Sequence, residues 1–249
     1  MKKLKFTFKN AAGEELAGLL ELPENPKAFA LLAHCFTCGK DLKGAARIAR
    51  KLTEKAIAVL RFDFTGLGNS EGDFSNTNFS SNISDLLCAV DYLRRQYEAP
   101  SLLIGHSLGG SAILSIAGEV PEAKAIVTIG SPGELTHVKR LFKDDVENIN
   151  QHGAYPVELA GRVFTLKKQM LDNIQEHKIA HKVFAMNKPL LIFHATEDDT
   201  VLIEQAEKIF KAAKEGANKQ VISSQADSLI KISRIWADFF PANTSNQPI

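Results

Sequence analysis

Cysteine, tryptophan, methionine and tyrosine are scarce in this chain of 249 residues, with 3, 1, 3 and 3 copies. Three cysteines give no disulfide framework for a chain of this size and suit a reducing cytosol, so a cytoplasmic location is expected. No stretch approaches the roughly 18 apolar residues that span a bilayer. The start, Met1 to Phe8, is basic but then alternates instead of running into an apolar segment, so it is not read as a signal peptide. An excess of one charge is also missing. The 30 basic and 29 acidic residues nearly cancel and form no long block. Neither nucleic acid nor a membrane is therefore an expected partner. Internal repeats and low-complexity segments are absent too.

What is present is enough chain for one large core. A single domain is expected over 1–240, with 241–249 as a flexible tail. Strands and helices alternate along it, which predicts an α/β fold with a mostly parallel central sheet covered by helices on both faces. Phe6 and Phe8 alternate with polar residues, a turn follows at Asn10 to Gly13, and Leu19 to Leu22 complete an expected hairpin. Apolar runs at Ala28–Ala33, Ala56–Phe62, Leu102–Ile104, Ala125–Ile129 and Leu190–Phe193 read as buried strands. Helical spacing joins Ala45, Ile48, Ala49 and Leu52, then Ile83, Leu86, Leu87 and Val90. It recurs at Ile203, Ala206 and Phe210, and at Ile232, Ile235, Trp236 and Phe239. The rhythm breaks between Pro132 and Asn187, where about 55 residues lie between successive core strands, far beyond an ordinary loop. This 132–187 stretch contains helical and hairpin-like pieces and is expected to be a lid inserted after the sixth strand, over the strand ends where open α/β sheets bind ligands.

The motif that carries chemistry is Gly105-His106-Ser107-Leu108-Gly109, between an apolar strand and a helix of small residues. With Gly and Ser each near 7% of residues, about 0.1 chance matches to G-x-S-x-G are expected in a chain this long, so the setting must carry the case. Between strand and helix, the pentapeptide forces a sharp turn that pushes the serine hydroxyl beyond the sheet edge. Ser107 is the candidate nucleophile. A serine hydroxyl needs a base to take its proton and donors for the oxyanion that forms. The turn His34-Cys35-Phe36-Thr37-Cys38 ends an earlier strand, and the backbone N–H of Phe36, with that of Leu108, can supply those donors. An acid is expected in Thr196-Glu197-Asp198-Asp199-Thr200-Val201. Asp198 is preferred over Asp199 because Val201, three residues on, suits an apolar anchor. The alternative is an acidic loop capping the next helix.

These segments carry a resemblance. Ala33 to Cys38, Arg61 to Gly72 (RFDFTGLGNSEG), Gly105 to Gly110 and Phe193-His194-Ala195 leading to Asp198 resemble the α/β-hydrolase superfamily. More narrowly, they resemble the hydrolase half of bacterial proteins that fuse such a domain to an OsmC-like domain, and no OsmC-like domain is expected here. The resemblance runs from about Leu16 to Phe240. It implies the α/β-hydrolase fold and a catalytic histidine within an Ala-Asp-His-Leu-Leu segment. The chain reads Ala226-Asp227-Ser228-Leu229-Ile230 there, so Ser228 occupies the histidine position. A serine cannot replace imidazole, because it cannot hold a proton as a cation near neutral pH.

All seven histidines lie at or before residue 194. His106, next to the serine on the turn, is expected to point away from it. His34 and His194 end core strands and read as packed structural residues. His177 and His181 share a helix face in the insert and could reach over the serine, although a solvated lid face is the favoured reading. Cys35 and Cys38 form a C-x-x-C, but two further zinc ligands and a thioredoxin-like setting are missing, so neither a metal nor a redox role is expected. Gly66, Gly68 and Gly72 are not spaced for a dinucleotide loop. The expectation is a serine hydrolase acting on a small ester or acyl substrate without a cofactor. The alternative is a catalytically impaired relative that binds such a ligand.

Overall fold

The computed structural model describes residues 1–216. Ser228, the helix expected around Ile232 to Phe239 and the 241–249 tail lie outside the described residues.

Alternating Phe6 and Phe8 place one face of β1 (Lys2–Lys9) on the core, and β1 pairs antiparallel with β2 (Glu15–Leu22) as the expected hairpin. The continuous apolar runs become β3 (Ala28–Ala33), β4 (Ile57–Phe62), β5 (Leu102–His106), β6 (Ala125–Ile129) and, after the hairpin strands β7 (Ala154–Leu159) and β8 (Arg162–Lys167), β9 (Leu190–Phe193). Two ends move. Ala56 has φ +64° and belongs to the turn before β4, while β5 runs on through Gly105 and His106. The sheet order is β1-β2-β4-β3-β5-β6-β9, and the pairs from β4 to β9 are parallel. Parallel strands bury both faces, which explains why these runs are apolar throughout. Ala30 and Leu32 pack with Ala45 and Ala49 of α1 (Lys43–Glu54). Phe29, Leu31 and Leu103 face the opposite cluster, with α2 (Phe79–Gln96) and α3 (Leu108–Ile116). A capping box starts α2, where the Asn78 side chain accepts from Ser81 N–H and the Ser81 hydroxyl accepts from Asn78 N–H.

The long segment between β6 and β9 is structured. A 3-10 stretch (Leu135–Phe142) and α4 (Val146–His152) lead into the antiparallel hairpin β7–β8, followed by α5 (Lys168–Glu176) and α6 (Ile179–Met186). α6 packs on α3 and on α7 (Ile203–Gly216), as the crossover between two parallel strands requires. What stands outside the sheet-covering layer is therefore the hairpin with its flanks.

Candidate active site

The register of the parallel strands brings the candidate residues to one edge. Ala33 lies opposite Gly105, His106 opposite Ile129, and Ile129 opposite Phe193. The next residues in each strand, His34, Ser107, Gly130 and His194, therefore leave the sheet side by side at its carboxyl ends.

Ser107 has φ +52° and ψ −127°, a conformation that L-residues rarely adopt. Its backbone is pinned on both sides. Ser107 N–H donates to Ile129 O at 2.8 Å, and Ser107 O accepts from Gly110 N–H at 2.9 Å. The sharp turn lets α3 start immediately against the Ala33–His34 corner. A Cβ on Gly109 would stand 2.2 Å from His34 O, so only glycine fits there. Phe36 and Leu108 line one small cleft with His34, Cys35, Phe64 and Gly109. These two residues thus line the same cleft.

His34 fixes one side of that cleft. Its ring Nδ1 donates to Cys35 O at 2.7 Å, which leaves Nε2 to accept the longer, 3.5 Å contact from Phe64 N–H. Burial pushes its imidazole down, partly offset by the Cys35 bond, so the neutral ring suits this strut.

Asp198 occupies the expected place and Asp199 does not compete. Oδ1 of Asp198 accepts from Thr200 N–H at 3.0 Å and from Val201 N–H at 2.9 Å. Val201 is buried, and Asp199 is exposed. The other oxygen, Oδ2, would lie 3.5 Å from a Cβ placed on Gly130, and Gly130 directly follows Ile129, whose carbonyl holds Ser107 N–H. The acid loop is clamped from outside as well. His194 Nε2 donates to Val201 O at 2.6 Å and lies 4.0 Å from Asp198 Oδ2. His137, a residue of the insert that the sequence did not single out, donates from Nε2 to Thr200 O at 3.0 Å. Burial pushes the His106 imidazole down to about 4, with the Asp198 charge pulling the other way. His106 is thus neutral at pH 7 and within the field of the acid.

His177 is committed elsewhere: Nε2 shares a 2.8 Å hydrogen bond with the Ser80 hydroxyl, and its ring packs edge-on against Phe79 at 4.9 Å. His181 is exposed on α6. Ser228, expected at the base position, is outside the described residues.

One expectation needs correction. Cys35 and Cys38 are joined by a disulfide, although the cysteine count argued against one. The physical reason is local. Cys38 N–H donates to Cys35 O, closing a turn that brings the two Cα atoms to 5.3 Å, inside the span of a disulfide. Three further residues of the site also went unnoticed in the sequence. Lys40 Nζ, buried, bonds Asp63 Oδ2 at 2.7 Å and Asn69 Oδ1 at 2.9 Å. Asp63 also accepts from Lys40 N–H and Asn69 N–H, tying the 34–42 turn to the glycine-rich 63–72 loop. Asp63 and Asn69 sit in the RFDFTGLGNSEG motif, which was the available signal.

Comparison with known proteins agrees with the fold. The family model described as serine aminopeptidase, S33, matches residues 24–143. The esterase domain of a Rhodothermus marinus protein is 40% identical, with 95% of this chain and 98% of that one covered at a TM-score of 0.68. This chain belongs to the α/β-hydrolase superfamily. Among curated proteins, the mitochondrial palmitoyl-protein thioesterase ABHD10 of Bos taurus is 26% identical over 151 residues, 58% of this chain. That match spans about half of the relative's length, 48%. Mouse alpha/beta hydrolase domain-containing protein 10 shares the fold at a TM-score of 0.70 and 16% identity, with 94% of this chain and 98% of that chain covered. Among the described residues of this α/β-hydrolase, no helix is long and apolar enough to cross a membrane.

Proposed function

We propose that this α/β-hydrolase is a serine hydrolase of small ester or acyl substrates, thioesters included, that works in the cytoplasm without a cofactor. Ser107 Oγ attacks the substrate carbonyl. The backbone N–H groups of Phe36 and Leu108 stabilise the oxyanion, and Asp198 supplies the carboxylate of the triad. The observation that carries the reading is the strained Ser107 turn, held to Ile129 O beside Gly130 and Asp198 Oδ2. The esterase relative at 40% identity supports the substrate class. The hairpin of the 132–187 lid supplies one aromatic side of the pocket through Phe164, 4.8 Å from the Phe74 ring, which itself lies 5.5 Å from Phe36.

With Ser228 at the base position, proton transfer from Ser107 has no imidazole to receive it. Loss of that group costs on the order of 10⁶ in kcat in a well-studied triad enzyme. What remains is the oxyanion and binding contribution, roughly 10³–10⁴ over water. Turnover of this chain is accordingly slow, and the second reading, a binding protein that keeps the pocket, rests on the same residue.

The test has two arms. A fluorophosphonate probe is expected to label the protein slowly at Ser107 and not to label Ser107→Ala. Ser228→His is expected to raise both labelling and p-nitrophenyl acetate hydrolysis by at least a hundredfold. Labelling undiminished in Ser107→Ala would remove the nucleophile. A Ser228→His variant no faster than the parent would favour the binding protein.

A further inference from the structure

The disulfide between Cys35 and Cys38 encloses two of the residues through which the 34–42 turn meets the rest of the molecule. Phe36, inside the ring, carries one proposed oxyanion donor. The hydrogen bond that closes the turn uses Cys38 N–H and leaves Phe36 N–H outside it. Thr37, also inside the ring, presents its carbonyl to Arg162 of the β7–β8 hairpin, whose guanidinium donates to it from 125 residues away. Arg162 also stacks on Phe164 at 5.0 Å, and Phe164 meets Phe74. The hairpin is therefore latched to the main body at the disulfide ring. Phe36 and Thr37 are buried, whereas both cysteines are partly exposed and open to a small thiol.

From this juxtaposition we propose that Cys35–Cys38 is a redox site whose closed form holds the oxyanion turn and the hairpin latch in place, and whose opening by a dithiol releases both. This rests on the proposed role of Phe36 for its catalytic consequence but not for its structural one. In the opening step a thiolate of the dithiol attacks one sulfur and breaks the S–S bond. The other cysteine leaves as a thiolate and takes up a proton. The second thiol of the reductant then displaces the mixed disulfide. Two electrons pass to the protein, the dithiol departs as a disulfide, and Cys35 and Cys38 each end as a thiol.

Opening the ring restores torsional freedom to Phe36 and Thr37, so the donor and the latch loosen together. The experiment compares the full chain in oxidised and reduced dithiothreitol. Thiol alkylation with mass detection counts free cysteines, hydrogen exchange follows residues 35–42 and 154–167, and fluorophosphonate labelling follows Ser107. Oxidised protein is expected to alkylate only at Cys88. Reduced protein is expected to alkylate at all three positions and to exchange at least tenfold faster in both segments. Its labelling is expected to fall at least tenfold, with the roughly 10²–10³ that deleting one oxyanion donor costs as the ceiling. Cys35→Ser/Cys38→Ser should behave as reduced in both buffers. Arg162→Ala should loosen 154–167 in the oxidised state while 35–42 still responds to reduction.

Cysteines 35 and 38 that stay alkylatable in the oxidised buffer would overturn the proposal, as would exchange that is identical in the two states. Redox-dependent exchange with no labelling of Ser107 in either state would uphold the redox site and discard the hydrolase reading instead.

Discussion

Asp85 gives the sharpest test of how the glycine-rich loop is held. It lies on α2, buried with 2% of its surface exposed, and Oδ2 accepts from Thr65 N–H at 2.9 Å. Burial raises its carboxyl from the ordinary 3.8 to about 6, against the Thr65 hydrogen bond and with the Glu14 charge adding to the rise. A carboxyl whose folded value is raised stabilises the fold while protonated. That contribution is fully present below about pH 4 and is lost as pH climbs through 6. From 3.8 to about 6, at 1.36 kcal/mol per pH unit, the loss is about 3 kcal/mol. Asp85→Asn keeps an oxygen for Thr65 N–H and carries no charge. Urea unfolding between pH 4 and pH 8 should therefore show wild-type stability falling relative to the variant by about 3 kcal/mol, with most of the fall between pH 4 and 6.5. At pH 4 the two should be nearly equal, apart from a constant offset for the new amide donor. Parallel pH profiles would show that Asp85 ionises without cost, and the account of its burial would be wrong.

Ser107→Gly removes the side chain from a backbone conformation that costs of order 1–3 kcal/mol, less the entropy glycine brings. It should abolish probe labelling yet raise the thermal midpoint by about 2–4 °C in calorimetry; a lower midpoint would mean that the turn is unstrained. Lys40→Met strands the buried Asp63 carboxylate and should cost about 3–5 kcal/mol in urea unfolding. Lys40→Met/Asp63→Asn should recover some of that loss because no charge remains, and a double variant no better than the single would place the cost in packing instead.

The core strands were legible because the central sheet is buried on both faces, which turns each strand into an uninterrupted apolar run. β3, β6 and β9 fall where those runs begin and end. The local contact between Asp198 and Val201, three residues on, was legible for a related reason, since that loop is fixed by its own backbone. The insert read as holding helical and hairpin-like pieces, but the bounds of β7–β8 were not legible, because Val163 is exposed and Pro156 brings no N–H to the ladder. Contacts across long separations, such as Arg162 with Thr37 and Lys40 with Asn69, leave no periodic trace at all. The disulfide was misread because spacing reports whether two sulfurs can meet, whereas the count of cysteines was weighed more heavily.

These observations divide the site by what each component is made of. The turn at Ser107 is a backbone torsion, the proposed oxyanion donors are backbone N–H groups, and Asp198 is oriented by backbone donors from Thr200 and Val201. The backbone torsion and these hydrogen bonds sit at the carboxyl ends of the parallel strands and are set by the fold. The proposed base position is different: it would be one side chain at one position, and no backbone group can replace its proton chemistry. On the proposed reading, a change at that one position lowers the rate by many orders of magnitude. Fold similarity and 40% identity to an esterase domain carry the architecture, whereas the proposed proton transfer depends on a single residue to which both are nearly blind.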